Sequence, residues 1–256
     1  MKPIDRHSAP DPADAAGRPR RPGLRLVVLV LRAPVFLVAA GLLGLAAVAG
    51  SERLLVLLGL RPAAFGPGGS GPSALALAMV PLPILVGLVA WRARVRHGGG
   101  WARALGLVVP RSPGRLALAL ALWPPLQIGW TAMLAAASGV PLSRAWQLPP
   151  FAGATLAAWI VWLVVLAPVA EEMLFRGDLF ARARGLLGPA ATVVLAAGLF
   201  ALSHAERGWA QPLSVLPLGL VLGAVRLWCA SLWAAILLHA ASNGAVVAVM
   251  LWHARP

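Results

Sequence analysis

The feature that most constrains this chain is the length of its apolar runs. Nearly uncharged blocks of about 17–25 residues recur along the sequence, the length of helix that crosses ~30 Å of hydrocarbon. Lipid offers no partner to a free backbone N–H or C=O, so each block is expected to be helical. Composition agrees: 60% of the 256 residues are hydrophobic and 12% charged, against about 45–50% and 25% in soluble domains. The fold expected is an all-α polytopic transmembrane bundle of about seven spans (six to eight), with its functional site inside the bundle. Spans are expected near 33–50, 73–91, 116–137, 152–174, 189–205, 212–228 and 231–251. Two apolar segments too short to cross, 54–66 and 101–110, are expected at the interface. No internal repeat is visible.

Three regions follow. Residues 1–23 are polar, proline-rich and basic, and are expected to be a disordered cytoplasmic tail. Residues 24–150 hold the first spans, with a basic loop at 92–115. Residues 151–252 hold the last spans and nearly all of the intramembrane polar groups. The apolar stretch after the tail is too long for a signal-peptide core, so it is expected to be a retained span.

The net charge of +14 invites a nucleic-acid reading. The distribution argues against it, because the arginines sit in the tail and between apolar blocks. With the N-terminus inside, 17 of the 22 basic side chains fall on the cytoplasmic side. The positive-inside rule therefore favours a multi-pass protein of the inner (plasma) membrane with a cytoplasmic N-terminus, and an odd number of spans would place the C-terminus outside. The partners expected are membrane lipid and a peptide or membrane-protein substrate, not nucleic acid. The single cysteine, Cys229, excludes an internal disulfide and a cysteine metal cluster. One lysine against 21 arginines, with no tyrosine, suggests a GC-rich bacterial genome.

Four of the eight acidic residues, Glu171, Glu172, Asp178 and Glu206, fall in one 36-residue window. Glu171 and Glu172 directly follow W-I-V-W-L-V-V-L-A-P-V-A. A carboxylate at membrane depth costs several kcal/mol on most scales, which marks it as a functional candidate; the plainer reading is a solvated helix end. In E-E-M-L-F-R, Glu172 and Arg176 are i,i+4 with the acid first, the favourable order for an ion pair. Glu171 is rotated about 100° away and has no such partner. It is the one of the two available as a base.

His204 and His239 lie in apolar spans, and Asn243 shares a helix face with His239. His7, His97 and His253 have no assigned role. If the helix carrying Glu171 runs to about Arg184 and turns at G-L-L-G-P, Glu171 lies roughly 20 Å before the turn and His204 roughly 23 Å after it. An antiparallel hairpin then sets them side by side. His239 and Asn243, about 12 and 18 Å beyond the Cys229–Ser231 turn, are compatible with the same depth.

Glu171-Glu172-x-x-x-Arg176, Phe200-x-x-x-His204 and His239-x-x-x-Asn243 resemble the three motifs of the CAAX protease and bacteriocin-processing (CPBP) family of intramembrane glutamic endopeptidases. The flanks F-R-G, S-L-W (Ser231 to Trp233) and G-L-V-L-G-A-V-R (Gly219 to Arg226) are similar too. The resemblance covers about 155–245, and residues 1–110 contribute only generic spans. It implies a peptidase without a cofactor. Glu171 would activate water with help from His204, and His239 and Asn243 would stabilise the oxyanion. Glu172, Arg176 and Phe200 would support the site. A bacterium usually lacks prenylated CAAX proteins, so the family name does not define the substrate.

Other chemistries stay open. Glu171, His204 and His239 are an adequate catalytic zinc set, although no H-E-x-x-H is present. An aspartyl protease needs two buried aspartates, and Asp178 is the only one near a span. Ser203 and Ser242 lack a glycine-framed nucleophile motif. A non-catalytic scaffold or bacteriocin-immunity protein is the alternative from another class. A transporter would show paired broken helices, which the sequence does not suggest.

Overall fold

The computed structural model describes residues 22–58, 77, 79–205 and 208–255. The basic tail, most of the 54–66 segment and Glu206 lie outside the described residues. Those described form helices and short connections, with no β-strand among them. In chain order the helices are α1 (Pro22–Leu57), α2 (Pro81–His97), the short α3 (Trp101–Leu105), α4 (Pro113–Ala137) and the short α5 (Leu142–Ala145). They continue with α6 (Gly153–Ala183), α7 (Pro189–Leu202), α8 (Ala210–Trp228) and α9 (Leu232–His253).

Among the described residues, five helices are long and apolar enough to cross a membrane: Gly23–Ser51 within α1, then α4, α6, α8 and α9. α2, with 17 residues, reaches the lower bound for a span. α7 has 14 residues, about 21 Å of helix, and is short for ~30 Å of hydrocarbon. Where described, the expected spans are helical over most of their length, but their ends move. Of the second, residues 73–76 and 78 lie outside the described residues and α2 runs on past 91 to His97, while the fourth runs past 174 to Ala183. In the expected surface helix 101–110, only Trp101–Leu105 is helical.

The protein is turned outward as a membrane protein should be. Leu31, Val35, Val38, Leu42 and Leu45 of α1 are exposed, as are Leu118, Leu122 and Leu126 of α4. With no hydrophobic drive between helices in lipid, close approach depends on small side chains. α1 buries Ala33 and Ala40, and a Cβ on its Gly44 would strike the ring of Pro81 on α2. Gly219 and Gly223 make a small-xxx-small stripe on α8. There a Cβ on Gly219 would press on Ala197 and Phe200, and one on Gly223 on Val193. α7 and α8 are consequently packed with little space between their backbones. α6 threads the centre of the bundle, buried without interruption from Glu172 to Phe180.

Candidate functional site

α6 is not a regular α-helix. Two wide π-helical stretches, Trp162–Leu166 and Met173–Leu179, flank the turn that bears the glutamates. Such bulges occur mostly at functional sites. The first has a visible cause. Ala167 N–H reaches back five residues to the Trp162 carbonyl. The next bond of that pattern would run from residue 168 to Leu163, but residue 168 is a proline and has no N–H. The amide of Asn243 fills the place, donating from Nδ2 to the Leu163 carbonyl at 2.8 Å. A side chain of α9 thus completes the backbone hydrogen bonding of α6.

The second bulge carries the charges. Arg176 Nη1 donates to Glu172 Oε1 at 2.8 Å, and both side chains are fully buried. The i,i+4 pairing read from the sequence is present. Arg176 Nη2 donates to the Gly219 carbonyl of α8 at 2.8 Å. His239 Nδ1 lies 3.0 Å from the same Glu172 Oε1. A carboxylate only accepts, so Nδ1 carries the proton of that bond. The other ring nitrogen, Nε2, stands 3.8 Å from Glu171 Oε2. His239 therefore bridges the two glutamates. Glu171 keeps 20% of its side-chain surface exposed, against none for Glu172.

Phe200 organises the rings around this pair. Its face receives the Arg176 guanidinium at 4.7 Å. His204 and His239 meet it edge-on, with centroids 4.9 and 5.6 Å away. The chain leaves helical geometry after Leu202, so His204 sits in a tightened turn, its N–H on the Ala201 carbonyl. Its Nδ1 bonds the Phe200 carbonyl at 2.8 Å. Nδ1 is then the donor and Nε2 the lone-pair side of the neutral ring. The hairpin geometry expected from the sequence set His204 against Glu171. Among the described residues, the histidine within 4 Å of the Glu171 carboxylate is His239. The sequence arithmetic measured depth and could not rank the two rings by their distance from the carboxylate.

Residues 153–245 match the family described as type II CAAX prenyl endopeptidase Rce1-like. That segment is similar to the Rce1-like family. The Rce1-like segment runs from the start of α6 to Ala245 in α9, and the site just described lies wholly within it. Its family is one of endopeptidases, so the match points to a peptidase in the membrane. Comparisons with curated proteins and with solved structures each returned no match.

The Rce1-like segment does not hold its site alone. Arg226 of α8 donates to the carbonyls of Arg176 (3.2 Å) and Leu105 (3.4 Å). Gly106 has φ +85°, and any Cβ there would collide with the Arg226 guanidinium. Gly106 O accepts from Leu232 N at 2.7 Å, and Ser231 Oγ donates to the Val108 carbonyl. Arg111 N donates to Cys229 O at 2.9 Å. The 105–112 stretch is thus laced to the turn that launches α9 and aims His239. Residues before 110 supply more than generic spans. Pattern reading missed this brace because it consists of main-chain carbonyls, which carry no sequence signal; the Gly-after-helix at 106 was the one available hint.

Zinc chemistry would require Glu171, His204 and His239 to converge. Among the described residues, no three His, Cys, Asp or Glu side chains are gathered to hold a metal ion. Glu171, His204 and His239 are thus not gathered around one point in this structure.

Proposed function

We propose that the chain is an intramembrane endopeptidase in which Glu171 activates water for attack on a peptide carbonyl. One observation carries this reading: of two adjacent carboxylates, one is dry and paired with an arginine, and the other is partly open and faces a histidine that the first one orients. Glu172 is held through Oε1 by Arg176 and His239, and its side chain is sealed from water. Glu171 is the partly open one. It takes a proton from water, and the hydroxide adds to the carbonyl carbon. The tetrahedral intermediate collapses with cleavage of the C–N bond, and the leaving amine takes the proton from Glu171.

The histidines divide the remaining work. The His204 tautomer set by its bond to Phe200 leaves Nε2 as an acceptor that can orient the attacking water. His239 Nε2 accepts in the neutral ring and donates once a proton reaches it, so it suits the side where negative charge develops. Asn243 spends one amide hydrogen on Leu163 and retains a second for an oxyanion. The substrate is a peptide or a membrane-protein segment.

Glu171→Gln tests the reading. Cleavage of a membrane-presented reporter peptide should fall at least ~100-fold, the lower range for loss of a general base, with the unfolding midpoint unchanged. Equal cleavage by the variant rejects the assignment. Inactivation by a chelator with rescue by zinc would transfer the chemistry to a metal.

A further inference from the structure

A second charged region lies away from the site, where the C-terminal end of α6 meets α1, α2 and α3. A cavity of about 950 Å³ opens there. Its polar wall comprises Arg25, Arg32, Arg92, Arg96, His97 and Arg182, with Asp178 as the one carboxylate. Asp178 is already saturated: Arg32 Nε donates to Oδ2 at 2.6 Å, and Arg182 Nε and Nη2 donate to Oδ1 at 3.0 and 2.8 Å. Arg32 Nη2 is buried and has no partner among the described residues. No carboxylate among them lies in ion-pair range of Arg25, Arg92 or Arg96, whose side chains are exposed. Five guanidiniums therefore converge on a space with one neutralising acid.

The rest of the wall decides the kind of anion. Leu24, Val28 and Leu186 line the cavity and are 59, 55 and 43% exposed. They continue into the outward apolar face of α1 at Leu31 and Val35. A soluble anion has no use for such a wall, whereas a molecule with a charged head and hydrocarbon tails uses both parts. Basic pockets between transmembrane helices at the arginine-rich end are suited to anionic headgroups, and guanidiniums grip phosphate in paired hydrogen bonds. We propose that this cavity binds the headgroup phosphate of an anionic phospholipid, with its acyl chains along the exposed apolar side chains of α1. The proposal is independent of the peptidase reading.

The test uses the full chain, purified in detergent and offered equal amounts of phosphatidylglycerol and phosphatidylcholine, with retained lipid read by native mass spectrometry. Phosphatidylglycerol should be retained preferentially. The Arg92→Gln/Arg96→Gln variant should lose that retention roughly 30-fold, taking about 1 kcal/mol per basic side chain near an anionic headgroup. Arg144→Gln, on an exposed residue elsewhere, should leave it unchanged. Excess glycerol 3-phosphate should not displace the lipid. Equal retention of the two lipids by the unmodified chain overturns the proposal without recourse to any variant. Undiminished binding by the double variant overturns it too. Displacement by glycerol 3-phosphate would make the cavity a site for soluble phosphate esters instead.

Discussion

α6 carries two ion clusters six residues apart, about 9 Å along one helix, and they are built on opposite principles. In the first, Glu172, Arg176 and His239 are sealed from solvent, with side-chain exposures of 0, 0 and 3%. In the second, Asp178 is shared between Arg32 and Arg182, which keep 15 and 19% of their surface. Neither cluster is fully satisfied: Glu172 Oε2 and Arg176 Nε in the sealed one, and Arg32 Nη2 in the other, are buried without hydrogen-bond partners among the described residues. Desolvating a charge pair can cost more than its attraction returns. A half-satisfied polar network is therefore a poor device for stability. Its return is orientation: it fixes the tautomer and direction of His239 and leaves Glu171 as the available acid. The open cluster has the opposite economy, tethering α1 to α6 where water can share the charge.

The largest expected effect tests the sealed cluster. Arg176→Met leaves Glu172 a buried charge with only the His239 hydrogen bond, and should cost about 3–5 kcal/mol of stability, read as a fall in the detergent unfolding midpoint or loss of folded protein. Glu172→Gln/Arg176→Met removes both charges and should recover much of that loss while activity stays low. If the double variant is no more stable than the single one, packing and not charge holds the cluster.

Gly106→Ala comes next. The backbone there is left-handed and the space belongs to Arg226, so a loss of at least about 1–2 kcal/mol is expected. A midpoint matching the parent protein would show that the 105–112 brace does not support the site. Asn243→Ala frees the Leu163 carbonyl and should cost about 1 kcal/mol; its larger effect should be on cleavage rate. Rate and stability falling together to the same small extent would confine Asn243 to a structural role. The smallest effect is expected of Arg182→Gln. Asp178 keeps Arg32, so the change should be about 1 kcal/mol or less and should shrink with added salt. A loss as large as that of Arg176→Met would erase the distinction between the clusters.

Much of the molecule was legible in its residues. Helices, their order and the Glu172–Arg176 pair follow from spacing, because hydrocarbon compels backbone hydrogen bonding and i,i+4 neighbours share a face whatever surrounds them. The turn after Arg184 follows equally from G-L-L-G-P, and the run of α6 to Ala183 agrees with it. Motif order pointed to the Rce1-like segment, since the residues that match lie in one continuous stretch.

What the tertiary structure alone decided was direction. Depth along a helix is a sum of rises, but which ring faces which carboxylate depends on helix rotation and on the π bulges that shift it. Hence it is His239 Nε2 that comes within 4 Å of Glu171, and Asn243 answers a carbonyl orphaned by Pro168 eighty residues' separation away. The joining of Arg32 to Asp178, and of Gly106 to Arg226 and Leu232, unites residues whose partners are distant in the chain or are main-chain atoms common to every residue. Periodicity reports the face a residue occupies; only packing reports what that face meets.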